Sequence, residues 1–363
     1  MLKQVLSLGD AFSIETFTKN QVLAAIKADR RDMHDFAALL SVAADDFLEE
    51  MAVAAKYETA RHFGNGIQLF TPLYLANYCT NHCTYCAFAH DNTIKRGKLT
   101  FDEIEQELLA IAATGLDEIL LLTGESRTMS NFDYICKSVK IASKHFSTVG
   151  LEVYPMETEE YAKLRAAGAD FVNVYQETYM TDVYANAHPK GKKRDFNYRF
   201  NTQERAMQGG MRGVSFGVLF GLGDFRRDAF SAGIHGFLLQ QKYPHAEVSF
   251  SVPRIRAFEG VSATRLNHIT DRQLLQIMLA YRLFLPFAGI TISTRESEKF
   301  RDNVVGLCAT KMSAGVVTGV GGHDLEQKGD KQFEIADMRS VDDIHKMLLG
   351  RGLQPVYTNY IAV

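Results

Sequence analysis

Between residues 67 and 318, short runs of β-branched and aromatic residues alternate with stretches in which apolar side chains recur at helical spacing. The runs predict strands over 69–77, 118–123, 150–154, 171–175, 213–220, 247–252, 290–294 and 312–318. The stretches between them predict helices, among them 100–114, 131–144, 157–167, 227–242, 271–285 and 298–307. Strand–helix alternation sets strands side by side and parallel. Eight such units over about 250 residues predict an α/β fold of the TIM type, a (β/α)8 barrel. An open doubly wound sheet would also alternate, but accounts less well for eight units. Ahead of the barrel, residues 14–60 carry alanine and leucine at helical spacing with no strand signal, and predict helices over 18–30 and 31–63. The expected organisation is an N-terminal helical extension (1–65), the barrel (66–318) and a C-terminal tail or cap (319–363). The tail holds one helix at 341–349 and a polar, Gly-rich connector at 319–331.

In such a barrel the functional residues collect at the C-terminal ends of the strands. Polar residues do fall there: Asn77 and the cysteines after it, Thr123-Gly124-Glu125, Glu152, Gln176-Glu177-Thr178, Arg254, Arg256, and Ser293-Thr294-Arg295-Glu296. Composition narrows the class without naming a function. The 363 residues are 46% hydrophobic and 23% charged, an ordinary globular balance. A net charge of −3 leaves no basic footprint for nucleic acid. The first ten residues turn polar too early for a signal peptide, and no apolar run reaches the roughly 18 residues of a membrane span. Five cysteines, three of them clustered, argue for a reducing cytoplasm rather than a disulfide scaffold.

The clustered three, Cys79, Cys83 and Cys86, are spaced C-x3-C-x2-C directly after the first strand. Three thiolates on one tight loop can hold three irons of a 4Fe–4S cubane and leave the fourth open, whereas an electron-transfer cluster normally has four cysteine ligands. An open iron can bind and reduce a small molecule. Structural zinc would need a fourth ligand, which His82 or His90 could supply. A redox C-x-x-C at Cys83 and Cys86 would leave Cys79 unexplained. Cys136 and Cys308 are single, are expected at helical positions and read as buried small apolar residues.

The triplet, with the aromatic Tyr85 before its last cysteine, resembles the signature of the radical S-adenosylmethionine (SAM) enzymes. The resemblance implies that the open iron chelates SAM and that one electron cleaves its sulfonium to methionine and a 5′-deoxyadenosyl radical. Thr123-Gly124-Glu125 resembles the family's GGE motif, which binds the methionine amino group; alternatively Glu125 is simply favoured near a helix start. The segment Phe196-Asn-Tyr-Arg199-Phe resembles one whose arginine pairs with the SAM carboxylate, although most helix arginines are only surface charges. Gly213-Val-Ser-Phe-Gly217-Val-Leu-Phe-Gly221 resembles the fifth-strand pattern flanking adenine, and Tyr85 or Phe88 could pack on adenine or on the cluster.

Four further segments extend the likeness: Leu73 to Cys79, Val174 to Tyr179, His188 to Asp195, and Ile292 to Ser297, with Gly352 to Val356 near the end. Together they resemble the thiamine-pathway tyrosine lyases, the 2-iminoacetate synthases, from about residue 60 onward. That resemblance implies Cα–Cβ cleavage of free L-tyrosine to 2-iminoacetate and p-cresol. It implies a thiazole synthase receiving the imine and a flavodoxin or ferredoxin as reductant, in the cytoplasm that the cysteine usage already indicates. Ser293 and Arg295 are expected to alternate on the seventh strand, facing inward as a substrate carboxylate clamp; Arg295 could instead pair with Glu296 or Glu177. Gln176, Glu177, Arg254 and Arg256 are further pocket candidates. The related hydrogenase-maturation lyase needs a second, C-terminal cluster, and no cysteine follows Cys308, so one cluster is expected here. Cleavage of another aromatic amino acid, or a non-enzymatic Fe–S or zinc scaffold, are the competing readings. Ala87 and Ala89 depart from the glycine and serine common in these lyases, small-for-small changes beside the cluster.

Overall fold

The computed structural model describes residues 1–12, 16–255 and 268–358. Eight parallel strands close into a barrel: β1 (Gly66–Ala76), β2 (Glu118–Thr123), β3 (Thr148–Glu152), β4 (Phe171–Asn173), β5 (Gly213–Gly217), β6 (Glu247–Ser251), β7 (Gly289–Ile292) and β8 (Lys311–Ser313). β8 returns to β1 and β1 to β2, which completes the ring. A ninth strand, β9 (Gln354–Val356), pairs with the start of β1 outside it. The expected strand 171–175 ends at Asn173, 213–220 at Gly217 and 312–318 at Ser313. Beyond those points the backbone leaves the ladder to build the mouth, with single bridges such as Glu177 to Val218 and Phe220 to Arg254.

The outer helices include α5 (Phe101–Ala112), α6 (Phe132–Ala142), α7 (Thr158–Ala166), α11 (Phe225–Lys242), α12 (Asp271–Phe284) and α13 (Glu298–Val304). Three more, α8 (Thr181–Ala187), α9 (Phe196–Phe200) and α10 (Thr202–Gln208), fill the β4–β5 connection. The extension holds α1 (Leu2–Ala11), α2 (Lys19–Lys27), α3 (Met33–Leu40) and α4 (Leu48–Phe63), and the tail α14 (Val341–Gly350). The single helix expected over 31–63 is broken at Ser41. Gln276 of α12 donates to the carbonyls of Leu39 (3.1 Å) and Ser41 (2.9 Å), taking acceptors that a continuous helix would use. The chain crosses the break as a 3-10 turn, Val42–Phe47. Phe36 of α3 then stacks on Phe284 of α12 (4.3 Å) and lies 5.6 Å from Phe230 of α11, so the extension sheathes two barrel helices. Cys136 is within α6 as expected. Cys308 is not helical: α13 stops at Val304, and Cys308 is buried in the turn before β8.

The barrel lumen is unlike the Val, Ile and Leu layers that fill many such barrels. On β5 to β8 small hydroxyls point inward (Ser215, Ser249, Ser251, Thr291, Ser313), and they leave a hollow. On β1 and β2 the lumen is apolar: Phe70, Tyr74, Leu120 and Leu122 form a small cluster with Phe88. Lys311 lies over the Phe171 (4.5 Å) and Phe70 (5.1 Å) rings and pairs with Glu118 below the hollow. The tail roofs part of the mouth. Glu107 of α5 accepts four successive backbone N–H groups, from Gly322 to Leu325, and thereby fixes its course.

Candidate active site

A single chamber runs from the cysteine loop into the lumen. Its lining includes Cys79, Cys83, Cys86, Tyr85, Thr123, Gly124, Glu125, Glu177, Arg199, Ser293 and Arg295, each singled out in the sequence. The cysteine loop is held through its backbone carbonyls by two side chains. Arg96 donates to the carbonyls of Asn77 (2.7 Å), Phe88 (2.9 Å), Ala89 (2.7 Å) and Asn92 (3.2 Å). Asn92 in turn donates to the carbonyls of Cys86 and Ala87, both at 3.0 Å. Asn77 ties the strand end to Gly97 and the tail: it accepts from Gly97 N (2.8 Å) and donates to Lys95 O and Asp330 O. Gly124 is where β2 meets this loop, since a Cβ there would fall 2.4 Å from Tyr78 O.

The donor set fits an iron–sulfur cluster better than zinc. A tetrahedral zinc site brings its sulfurs within roughly 3.8 Å of one another. Among the described residues, only Asp32, His34 and Asp35, on the surface, bring three such ligand atoms within 4.8 Å of one another. The three sulfurs share the chamber more loosely, and His82 is engaged by Asp91 at 2.6 Å. Cys136 and Cys308 lie away from the chamber, so the thiol set closes at three. Burial pushes the Cys83 thiol up to about 12, only partly offset by the Lys193 ammonium, and raises Cys79 and Cys86. Such thiols stay protonated until metal displaces the proton. Thr123 Oγ1 and Asn173 Oδ1 line the chamber, are buried and have no hydrogen-bond partner, as befits groups awaiting a polar ligand.

Beside the cysteines the charges are already paired. Arg199 donates to Glu125 Oε1 (2.8 Å) and to Tyr175 O (2.6 Å), and Glu125 also accepts from Asn81 (2.9 Å). Lys193 pairs with Glu177 (2.6 Å), with Arg199 3.8 Å from the same oxygen. These cations hold the Glu125 and Glu177 carboxyls below their ordinary range against the opposing effect of burial. Glu177 has a left-handed backbone (φ 72°), unusual for a side chain of this kind, and costs about 1–3 kcal/mol that the surrounding contacts must offset. The contacts are Lys193 and the bond from Leu219 N to Glu177 O (2.8 Å). Tyr85 donates to His188 Nε2 (2.8 Å), because His188 Nδ1 is committed to Tyr184 O. Burial drives His188 down to about 3, so it stays neutral and accepts.

Several sequence-nominated residues stand elsewhere. β7 ends at Ile292, so Ser293 and Arg295 sit in the turn past the strand, not on it; both still line the chamber. Arg295 lies over the Phe333 ring (3.4 Å) and pairs with neither Glu296 nor Glu177. Arg254 is outside the chamber, with its guanidinium taken by Glu296 and Asp271. Gln176 also lies outside, buried with its amide unpartnered. Gly217 is set back behind Tyr175, whose ring lies 2.5 Å from where a Cβ would be. Arg256 falls outside the described residues. Asn81, Arg96 and Phe333 were given no role in the sequence, because nothing local marks them, and His188 and Lys193 only fell within a segment of family likeness; the fold brings all five to the chamber or the cysteine loop.

The superfamily's own pattern covers this architecture. A model of the radical SAM superfamily matches residues 73–229, and one of the biotin and thiamin synthesis associated domain matches residues 251–354. The 2-iminoacetate synthase of Salmonella typhimurium is 37% identical over 344 residues, 94% of this chain and 91% of that protein. The chain belongs to the 2-iminoacetate synthase family of radical SAM enzymes. The Escherichia coli 2-iminoacetate synthase is 38% identical, with 94% of this chain and 91% of that protein covered. Among solved structures, the [FeFe]-hydrogenase maturase HydG superposes with a TM-score of 0.90 at 30% identity, covering 99% of this chain and 80% of that one. The (β/α)8 radical SAM fold is thereby established, and with it a 4Fe–4S cluster and SAM as the family's cofactors. Among the described residues, no helix is long and apolar enough to cross a membrane.

Proposed function

We propose that this lyase cleaves L-tyrosine to 2-iminoacetate and p-cresol, and that Cys79, Cys83 and Cys86 hold its cluster. The observation that carries the reading is one chamber bounded by three thiols at one end and by the uncommitted guanidinium of Arg295, beside Ser293, at another. With SAM, a cluster there supplies one-electron cleavage of the sulfonium to methionine and a 5′-deoxyadenosyl radical. Thr123, Gly124 and Glu125 at the end of β2 are the residues for the methionine amino group, with Arg199 close enough to share its charge with a carboxylate. Tyr85 flanks the adenosine side, whereas Gly217 is screened from it by the Tyr175 ring. Ser293 and Arg295 take the tyrosine carboxylate, and the apolar wall of Phe70, Tyr74 and Leu122 accepts an aromatic ring. The roof from the tail, with Gln332 bonded to Tyr74 Oη at 2.8 Å, excludes water that would quench a radical.

Atom balance sets what else is needed. Hydrogen leaves tyrosine for 5′-deoxyadenosine, the Cα–Cβ bond breaks, and the aromatic fragment gains one electron and one proton to depart as p-cresol. Two electrons are consumed in all, and a flavodoxin or ferredoxin is the reductant class that fits. The imine hydrolyses readily in water, which favours direct transfer to a thiazole synthase in the cytoplasm. Anaerobic reconstitution with iron, sulfide, SAM, reductant and tyrosine tests the proposal by assaying p-cresol and 5′-deoxyadenosine. Deoxyadenosine without p-cresol would keep SAM cleavage and overturn tyrosine as substrate. Neither product, with an intact reduced cluster, would overturn the enzyme reading.

A further inference from the structure

Pairing every charge that lines the chamber leaves a remainder. Three carboxylates face it, Glu125, Glu152 and Glu177, and four cations, Lys193, Arg199, Arg295 and Lys311. Glu125 is bonded to Arg199, Glu177 to Lys193, and Lys311 to Glu118 at the floor. Glu152 and Arg295 are left over. Neither has an ionic or hydrogen-bonded side-chain partner among the described residues, and they do not touch each other, yet each senses the other's charge. Glu152 closes β3 on its lumen side, two residues after Gly150, where a Cβ would meet the Phe171 ring at 2.2 Å. It stands beside Leu122, next to the strand end that carries Thr123 and Gly124.

We propose that Glu152 receives the α-ammonium group of the substrate, with Arg295 receiving its carboxylate, so that the two unpaired charges together select a free α-amino acid. An α-amino acid carries opposite charges one carbon apart, and it is a ligand class that neutralises both residues at once. A half-buried carboxylate with no cation is unfavourable alone. Burial, aided by Glu177, accordingly raises the Glu152 carboxyl to about 7. A bound ammonium would restore its charge, as Lys193 does for Glu177. Pairing of this kind also orients the Cα–N bond in the chamber while the apolar wall takes the side chain.

The inference rests on an aromatic amino acid as substrate, and binding rather than turnover tests it. Dissociation constants are measured for the reconstituted full chain with SAM and no reductant. The ligands are tyrosine, tyramine, which lacks the carboxylate, and 3-(4-hydroxyphenyl)propanoate, which lacks the amine. Glu152→Gln is expected to weaken tyrosine and tyramine about 10-fold or more while leaving the propanoate and SAM within about twofold. Equal weakening of tyrosine and the propanoate, or a loss confined to SAM, would overturn the assignment. Glu152→Asp, which keeps the charge, is expected to retain the preference for tyrosine over the propanoate even if the glutamine variant fails to fold; loss of that preference also counts against it. If the unaltered protein binds no tyrosine, the substrate reading falls. Tryptophan against indole-3-propanoate then puts the same question to Glu152.

Discussion

Gly124→Ala is the sharpest single perturbation of the cysteine loop. The added Cβ would lie 2.4 Å from Tyr78 O, 2.9 Å from Tyr78 C and 3.2 Å from Asn77 C. All three are backbone atoms, so no side chain can swing away. Reaching an ordinary carbon–oxygen contact requires β2 and the loop to part by about 1 Å. That displacement stretches the bond from Gly124 N to Ala76 O (2.8 Å) and the bond from Thr80 N to Glu125 O (3.1 Å) beyond useful length. Two lost hydrogen bonds at about 1 kcal/mol each, plus about 1–3 kcal/mol of overpacking, give about 3–5 kcal/mol. The loop, rather than the barrel, absorbs most of it, because β2 is held on both sides by β1 and β3. Anaerobic denaturation of the variant should therefore show a modest fall in global stability, while iron and sulfide per chain after reconstitution drop by more than half. Full iron content with an unchanged unfolding midpoint would refute the argument that the glycine is there for close approach.

Arg96→Met should act on the same loop from the other side. It removes donors from four carbonyls, and iron incorporation should fall several-fold while far-UV circular dichroism is retained; normal iron loading would contradict the role given to Arg96. Cys83→Ala should abolish iron–sulfur binding, since two thiolates hold a cubane poorly, and retained iron would sink the ligand assignment. Asp228 gives a pH test. It is buried and accepts from Tyr179 N (2.7 Å) and Thr178 Oγ1 (3.0 Å), and burial raises its carboxyl to about 7. A raised carboxyl stabilises the fold fully below its unfolded value near 4 and loses that contribution as pH rises through about 7. Asp228→Asn should therefore gain on the unaltered protein by about 2–4 kcal/mol more at pH 8 than at pH 4. An equal difference at both pH values, read from thermal melts, would exclude the ionisation as the cause.

Much of the architecture was written in the periodicity. The eight strand–helix units and the cysteine spacing are local features, and alternation repeated eight times favours a barrel over an open doubly wound sheet. What periodicity misjudged were the places where partners distant in sequence decide: the break at Ser41, made by Gln276, and the ends of β4, β5 and β8, where the chain abandons the ladder to form the mouth. Arg295 shows the same division. Its residue type and its expected place on the seventh strand predicted an anion-seeking group. Whether Glu296 or Glu177 would quench it was undecided until the fold gave the first to Arg254 and the second to Lys193.

The sequence by itself determined the chemistry that three thiols on one loop can support, because ligand spacing along a chain is a local property. The tertiary structure alone decided which charges remain open in the chamber. Pairing depends on which side chains the closed barrel brings within reach, and that set Glu125, Glu177, Lys193 and Arg199 against one another and left Glu152 and Arg295 facing the cavity.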